Sequence, residues 1–261
     1  MSAHRLIIGG TRGMGRALVR RWAAAGQAVS VMGRRTPYDA DRRMAHVRHW
    51  TVDVSDERSL KTALNEVMAQ RGRVRSVVFF QRYRGAENDW EGELATSLTA
   101  TKRVIERLVD GFEREGDRSI VIVSSMASQF IAQEQPLSYH VAKAGLAQMV
   151  RFYAVALGSS GIRVNSVSSG MMLKEESRTF YQRHRRLQRL YEDIIPLGRI
   201  GKAEELASVI AFLCSPQASF ITGQNLIVDG GLSLQWHESL ARQVTSLRTL
   251  AVTRKIPVGS R

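Results

Sequence analysis

Apolar positions along the 261-residue chain fall into two alternating textures, short runs rich in Val, Ile and Leu and longer stretches of spaced apolar residues. The short runs, at Arg5 to Gly9, Ala28 to Met32, His46 to Val52, Ser76 to Phe80, Ser119 to Val123 and Gly161 to Val167, have the length and β-branched content of buried strands. The longer ones, at Gly13 to Ala25, Glu57 to Gln70, Trp90 to Arg114, Leu137 to Leu157 and Ala203 to Cys214, repeat with the period of amphipathic helices. Strand and helix alternate throughout. That order predicts an α/β fold, a doubly wound parallel sheet with helices on both faces, because each crossover must be right-handed and return to the same sheet. No repeat or low-complexity linker divides the chain, so residues 1–261 are expected to form a single three-layer α/β/α domain.

Two stretches break the rhythm. Residues 171–195 are polar and Arg-rich and follow the sixth strand near its carboxyl end, where open α/β sheets bind ligands; a substrate lid is expected there. Residues 232–261 form a basic extension without a clear strand, expected as a packed helix or a frayed tail.

Composition narrows the class. With 44% apolar and 24% charged residues the chain has the make-up of an ordinary globular protein. No run approaches the ~20 apolar residues of a membrane span, and the N-terminus lacks signal-peptide features, so a cytoplasmic protein is expected. The single Cys214 excludes an internal disulfide and is expected to be an inert helix residue. No cluster of His, Cys or carboxylates has metal-ligand spacing, so no metal is expected. The formal charge of +14 would attract polyanions, but its arginines are spread over the whole length rather than gathered in one reading module. A basic solvated surface is the expectation, and nucleic acid is not an expected partner.

Chemistry begins after the first strand. Gly9-Gly10-Thr11-Arg12-Gly13-Met14-Gly15 runs straight into an amphipathic helix. Glycines at 9, 13 and 15 permit a tight turn, close approach of backbone to a pyrophosphate, and tight helix-on-strand packing, while the helix N-terminus supplies amide donors. The second strand ends at Met32-Gly33-Arg34-Arg35, where an NAD-selective site would place a carboxylate for the ribose hydroxyls. Arg34 and Arg35, with Arg12 beside them, suit a 2′-phosphate, so NADP(H) is the expected cofactor.

Ser124-Ser125 follows the fifth strand, and Tyr139-His140-Val141-Ala142-Lys143 opens the next long helix. Tyr and Lys four apart share a helix face, so the ammonium can favour the phenolate and reach a cofactor ribose, while the Ser125 hydroxyl polarises a carbonyl.

In this order the motifs resemble those of the classical short-chain dehydrogenase/reductase family over residues 5 to 234. The resemblance rests on Gly9 to Gly15, Asp53-Val54, Ser125, Tyr139 with Lys143, Gly161 to Asn165, Pro196 to Arg199, Ile221 to Gln224 and Val228 to Gly231. It implies a Rossmann-like sheet, a carbonyl reductase of 3-oxoacyl type, Tyr139 as general acid, Lys143 on the nicotinamide ribose and Ser125 on the substrate carbonyl. It also implies Asp53 and Val54 at the adenine, Thr11, Met14 and Gly170 among the cofactor contacts, and a homotetramer or dimer built through the helices around 90–114 and 137–157.

Departures from the family pattern surround this set. Asn-Asn-Ala-Gly after the fourth strand is here Phe79-Phe80-Gln81-Arg82. The catalytic Asn, which supports a water-mediated proton relay through the lysine, aligns with Ser97; a Thr that often touches the carboxamide appears as Lys174; the usual Pro-Gly is Ser169-Gly170. Lid residues Lys174, Arg178, Arg183, His184, Arg185, Arg186 and Arg189 alternate with Phe180, Tyr181, Leu187 and Leu190, an arrangement that either faces solvent or holds an anionic or thioester-linked substrate. Two alternatives to a carbonyl reductase stay open. One keeps the fold but reduces a conjugated or imine-like group or runs a redox-neutral step; the other senses NADP(H) without catalysis.

Overall fold

The computed structural model describes residues 3–85 and 89–244. Seven parallel strands form the central sheet: β1 (His4–Ile8), β2 (Ala28–Gly33), β3 (Val47–Thr51), β4 (Ser76–Phe79), β5 (Arg118–Ser125), β6 (Ile162–Ser169) and β9 (Asn225–Val228). Two short pieces, β7 (Met172–Leu173) and β8 (Gly201–Lys202), pair apart from it. The order β3-β2-β1-β4-β5-β6-β9 reverses between β1 and β4, whose carboxyl ends lie side by side with Ile8 opposite Phe79. That reversal leaves a crevice where loops diverge, the position that open α/β sheets use for ligands.

Alternation along the strands explains the two cores. Leu6 and Ile8 pack on one face with α3 (Glu57–Arg71), α5 (Ala100–Leu108) and α6 (Leu137–Gly158), whereas Ile7 joins α1 (Gly13–Ala24) and α9 (Ala203–Leu213) on the other. Burial on both faces is why the strands read as continuous apolar runs. A single turn, α2 (Asp39–Arg42), lies between β2 and β3.

The structure adds a seventh strand that the apolar pattern does not reveal. β9 is a short edge strand, and Asn165 of β6 fixes its approach: its amide donates to Ile221 O at 2.8 Å and accepts from Gln224 N–H at 3.0 Å. The helix expected over Trp90 to Arg114 is corrected as well. It is α4 (Asp89–Glu93), a π-helical segment at Leu94–Thr99, then α5, and it ends in a 3₁₀ turn at Gly111. A π turn inserts one residue and resets the face each side presents, which an average periodicity over 25 positions does not show.

Residues 175–194 form two helices, α7 (Glu175–Arg183) and α8 (Arg185–Ile194). The basic extension continues as α10 (His237–Val244), which packs on α8 through the Gln243 amide on Asp193 O at 2.7 Å. Of the extension expected over 232–261, residues 245–261 lie outside the described residues. Cys214 follows the last residue of α9, where burial pushes its thiol up. Among the described residues no helix is long and apolar enough to cross a membrane.

Candidate active site

The glycine loop turns where β1 ends, and its glycines are required by contact. Gly9 has a φ of +84°, and a Cβ there would lie 2.8 Å from Gln81 N on the neighbouring β4 loop. A Cβ on Gly15 would meet Gly9 O at 2.5 Å, so any side chain would push α1 off the turn that precedes it. The loop therefore brings the N-terminus of α1 to the crevice with its amides turned into it.

A cleft of 370 Å³ opens there. Its walls carry Gly9, Thr11, Arg12, Gly13, Met14 and Gly15 from the loop, Arg34 and Arg35 after β2, and Asp53 and Val54 after β3. Gln81, Arg82, Arg84, Lys174 and Glu176 face them. Gly170 is not on this lining; its lack of a side chain admits Asp229, whose Cβ would lie 2.6 Å from a Cβ at 170. The Arg12 guanidinium stacks on Tyr38 with its carbon 3.8 Å from the ring centre and donates to the Thr11 and Thr36 carbonyls. Arg34 reaches to 3.9 Å from Asp53, with both side chains open to solvent. Behind them Arg16 and Asp41 form a buried pair at 2.5 Å. Burial alone would weaken both charges, but the hydrogen bond and mutual attraction win, raising the guanidinium and holding the carboxyl below its usual range.

Ser125, Tyr139 and Lys143 are not on this lining either; Arg82, which is, links the cleft to them, its guanidinium carbon 4.5 Å from the Tyr139 ring centre while it donates to Gln135 Oε1 at 2.6 Å. Tyr139 sits in the first turn of α6, half-buried, and the Lys143 ammonium one turn on is 5.4 Å from the same ring centre. Ser125 ends β5, where its Oγ accepts from Ala127 N–H at 3.2 Å, and the 3₁₀ turn that follows packs on α6. With a lone pair engaged that way, the hydroxyl proton is available to a substrate oxygen. His140, buried, is held between its Nδ1 on Pro136 O and the Ala132 N–H that donates to its Nε2, so it braces the loop before Tyr139. Lys143 is enclosed, and burial pushes its ammonium down to about 8, against the charge of Glu93 and with the charge of Arg82.

Ser97, the position expected to support a proton relay, is fully buried in the π segment, and its hydroxyl donates to Glu93. Two acidic residues of the expected lid reach the first turn of α1. Gly13 N–H donates to Glu176 Oε1 at 2.9 Å, and Glu175 pairs with Arg16. The Glu176 carboxylate thus stands where the helix N-terminus would receive an anionic group.

Fit to a dinucleotide can be tested on these residues. The cleft supplies amide donors at a helix N-terminus, a wall of cations, and two buried polar atoms without partners, Gln81 Oε1 and Arg82 Nε. Buried polar atoms of this kind call for a ligand or water, and the residues present fit one with phosphate and ribose groups.

Comparison with known proteins decides the family. A family model described as enoyl-(acyl carrier protein) reductase matches residues 9–233. The chain belongs to the short-chain dehydrogenase/reductase family. It is 32% identical over 247 residues to isoepoxydon dehydrogenase patN of Penicillium expansum, covering 88% of this chain and 94% of that one. It is 29% identical to the 3-oxoacyl-[acyl-carrier-protein] reductase FabG of Aquifex aeolicus, covering 87% and 96%. A short-chain dehydrogenase/reductase from Caenorhabditis elegans, solved with cofactor, matches at a TM-score of 0.78 and 27% identity over 91% of this chain and 97% of that one. As a short-chain dehydrogenase/reductase, the protein is an oxidoreductase of a family that binds nicotinamide cofactors and acts on small molecules.

Four residues near the site escape the sequence reading. Arg82 is legible there only as a departure, Arg84 is not singled out, and Glu93 and Glu176 look like ordinary helix carboxylates. The spacing of Glu93 and Ser97, one helical turn apart, is the signal that marks Glu93; nothing local marks Glu176.

Proposed function

We propose that this protein reduces a small-molecule carbonyl compound with NADPH, with Tyr139 as the general acid. The observation that carries this reading is the Lys143 ammonium beside the Tyr139 ring, against which Arg82 of the cationic cleft also packs. The dinucleotide, when bound, supplies the hydride. Gly13 and Met14 at the α1 N-terminus hold its phosphates, Arg34 and Arg35 with Arg12 take the 2′-phosphate, and Asp53 and Val54 border the adenine. Ser125 donates to the substrate oxygen and orients the carbonyl. As the carbonyl carbon gains hydride, its π electrons move onto oxygen, which takes the proton of Tyr139; the Lys143 charge stabilises the phenolate left behind. Residues 171–195 act as the lid, with Glu176 leaving Gly13 when phosphate arrives. Exposed Phe152 and Val155 on the outer face of α6 support self-association through that helix.

Tyr139→Phe tests the reading. NADPH binding, followed by cofactor fluorescence, is expected to survive while NADPH-dependent reduction of a carbonyl panel is lost; a variant as active as the parent overturns the assignment.

A further inference from the structure

Three side chains on one stripe of the helix before α5 face α6. Asp89 begins α4 and accepts from Ser138 Oγ at 2.9 Å; Leu98 packs so closely on α6 that a Cβ at Gly145 would touch it at 3.1 Å. Glu93 lies between these two contacts on its own helix, as Lys143 lies between Ser138 and Gly145 on α6. Both are closed off from solvent, Glu93 at 4% exposure and Lys143 at 4%. A carboxylate so placed has lost its water and requires other support. Ser97, one turn on, donates its hydroxyl to it.

We propose that Glu93 is the positioning residue of the active-site lysine: its buried carboxylate, fixed by Ser97, is the counter-charge that keeps the Lys143 ammonium in its charged state beside Tyr139. The idea rests on the assignment of Tyr139 and Lys143 above. Among the described residues, the charged and titratable groups placed around the ammonium are Glu93 from α4, Arg82 from the loop after β4, and the Tyr139 phenol on its own helix. Burial and Arg82 both drive the proton off Lys143, and Glu93 is the charge that opposes them. Ser97 has a different task from a side chain that carries a water: it orients a carboxylate. The π turn at Leu94–Thr99 contains this serine and sets its register relative to Glu93 and α6.

The test reads Lys143 directly. NMR of the full-length protein labelled at lysine side chains, with the Lys143 signal assigned by its loss in Lys143→Arg, gives the titration midpoint without any turnover. In Glu93→Gln, which keeps the shape and still accepts from Ser97, the midpoint is expected to move about one pH unit or more toward acid. Glu93→Asp, which withdraws the charge by one methylene, is expected to give an intermediate value and serves if the Gln variant does not fold. A midpoint equal to the parent's in the variant that folds overturns the proposal. The alkaline limb of NADPH-dependent reduction should move with the midpoint in Glu93→Gln. If the midpoint moves and the limb does not, Glu93 still governs the lysine, and it is the catalytic assignment of Lys143 that fails.

Discussion

The glycine-loop cleft and the Tyr139 region that adjoins it at Arg82 manage charge in opposite ways. In the glycine-loop cleft the charges are open to solvent or paired with an opposite partner, as with Arg34 and Asp53 or the buried Arg16 and Asp41. Around Tyr139 a lysine is enclosed without an ion-pair contact among the described residues, its ammonium held down to about 8, and the Glu93 carboxylate that supports its charge is shared with a serine. The first arrangement gives a firm frame for a ligand that arrives with its own negative charge. The second holds a group at the edge of its charged state, which is what proton transfer near neutral pH requires. On the proposed function, stability and reactivity would thus be separated between two adjoining regions.

Substitutions in each region should tell the two apart. The largest effect is expected in the Tyr139 region: Tyr139→Phe should lower kcat/KM by roughly 10³-fold with the melting temperature and NADPH affinity unchanged. Loss of NADPH affinity together with activity would dissolve the separation. In the glycine-loop cleft, Asp41→Asn leaves the buried Arg16 with Glu175 as its remaining carboxylate and is expected to cost about 2 kcal/mol in urea unfolding. Because the Asp41 carboxyl is held below its usual range in the folded state, its contribution is present above about pH 4 and fades as pH falls through the folded value. Parent and variant should therefore converge in acid, and a gap that widens there contradicts the pairing. A smaller change is expected for Arg34→Ala: preference for NADPH over NADH, measured as a ratio of kcat/KM values, should drop roughly tenfold with turnover intact. An unchanged ratio would move the 2′-phosphate to other side chains. The smallest is Glu176→Gln, which weakens a carboxylate's hold on the Gly13 amide; NADPH should bind roughly threefold tighter. Weaker binding would mean that Glu176 assists the cofactor rather than competing with it.

Much of this frame is readable without coordinates because local chemistry dictates it. A glycine at 9 is demanded by a left-handed turn and a neighbouring backbone, and Tyr139 and Lys143 share a face because a helix repeats every 3.6 residues. The β9 edge is hard to read since its four residues are half-exposed and its placement depends on Asn165, some sixty positions earlier. The break in the expected Trp90 to Arg114 helix is hidden for a related reason: the residues suit an α-helix, and the π turn arises where they must pack on α6.

By itself, then, the sequence determines the alternating order of strands and helices, the glycine turn after β1 and the Ser125, Tyr139 and Lys143 motifs, since each follows from backbone rules acting over a few residues. Only the tertiary structure decides which charges meet. Arg82 lies over Tyr139, Glu176 on Gly13 and Glu93 beneath Ser97 because segments distant in the chain, or successive turns of a closely packed helix, share a space from which water is excluded. Charges interact strongly enough to direct chemistry where they are desolvated, and desolvation is a property of the packed fold rather than of any segment within it.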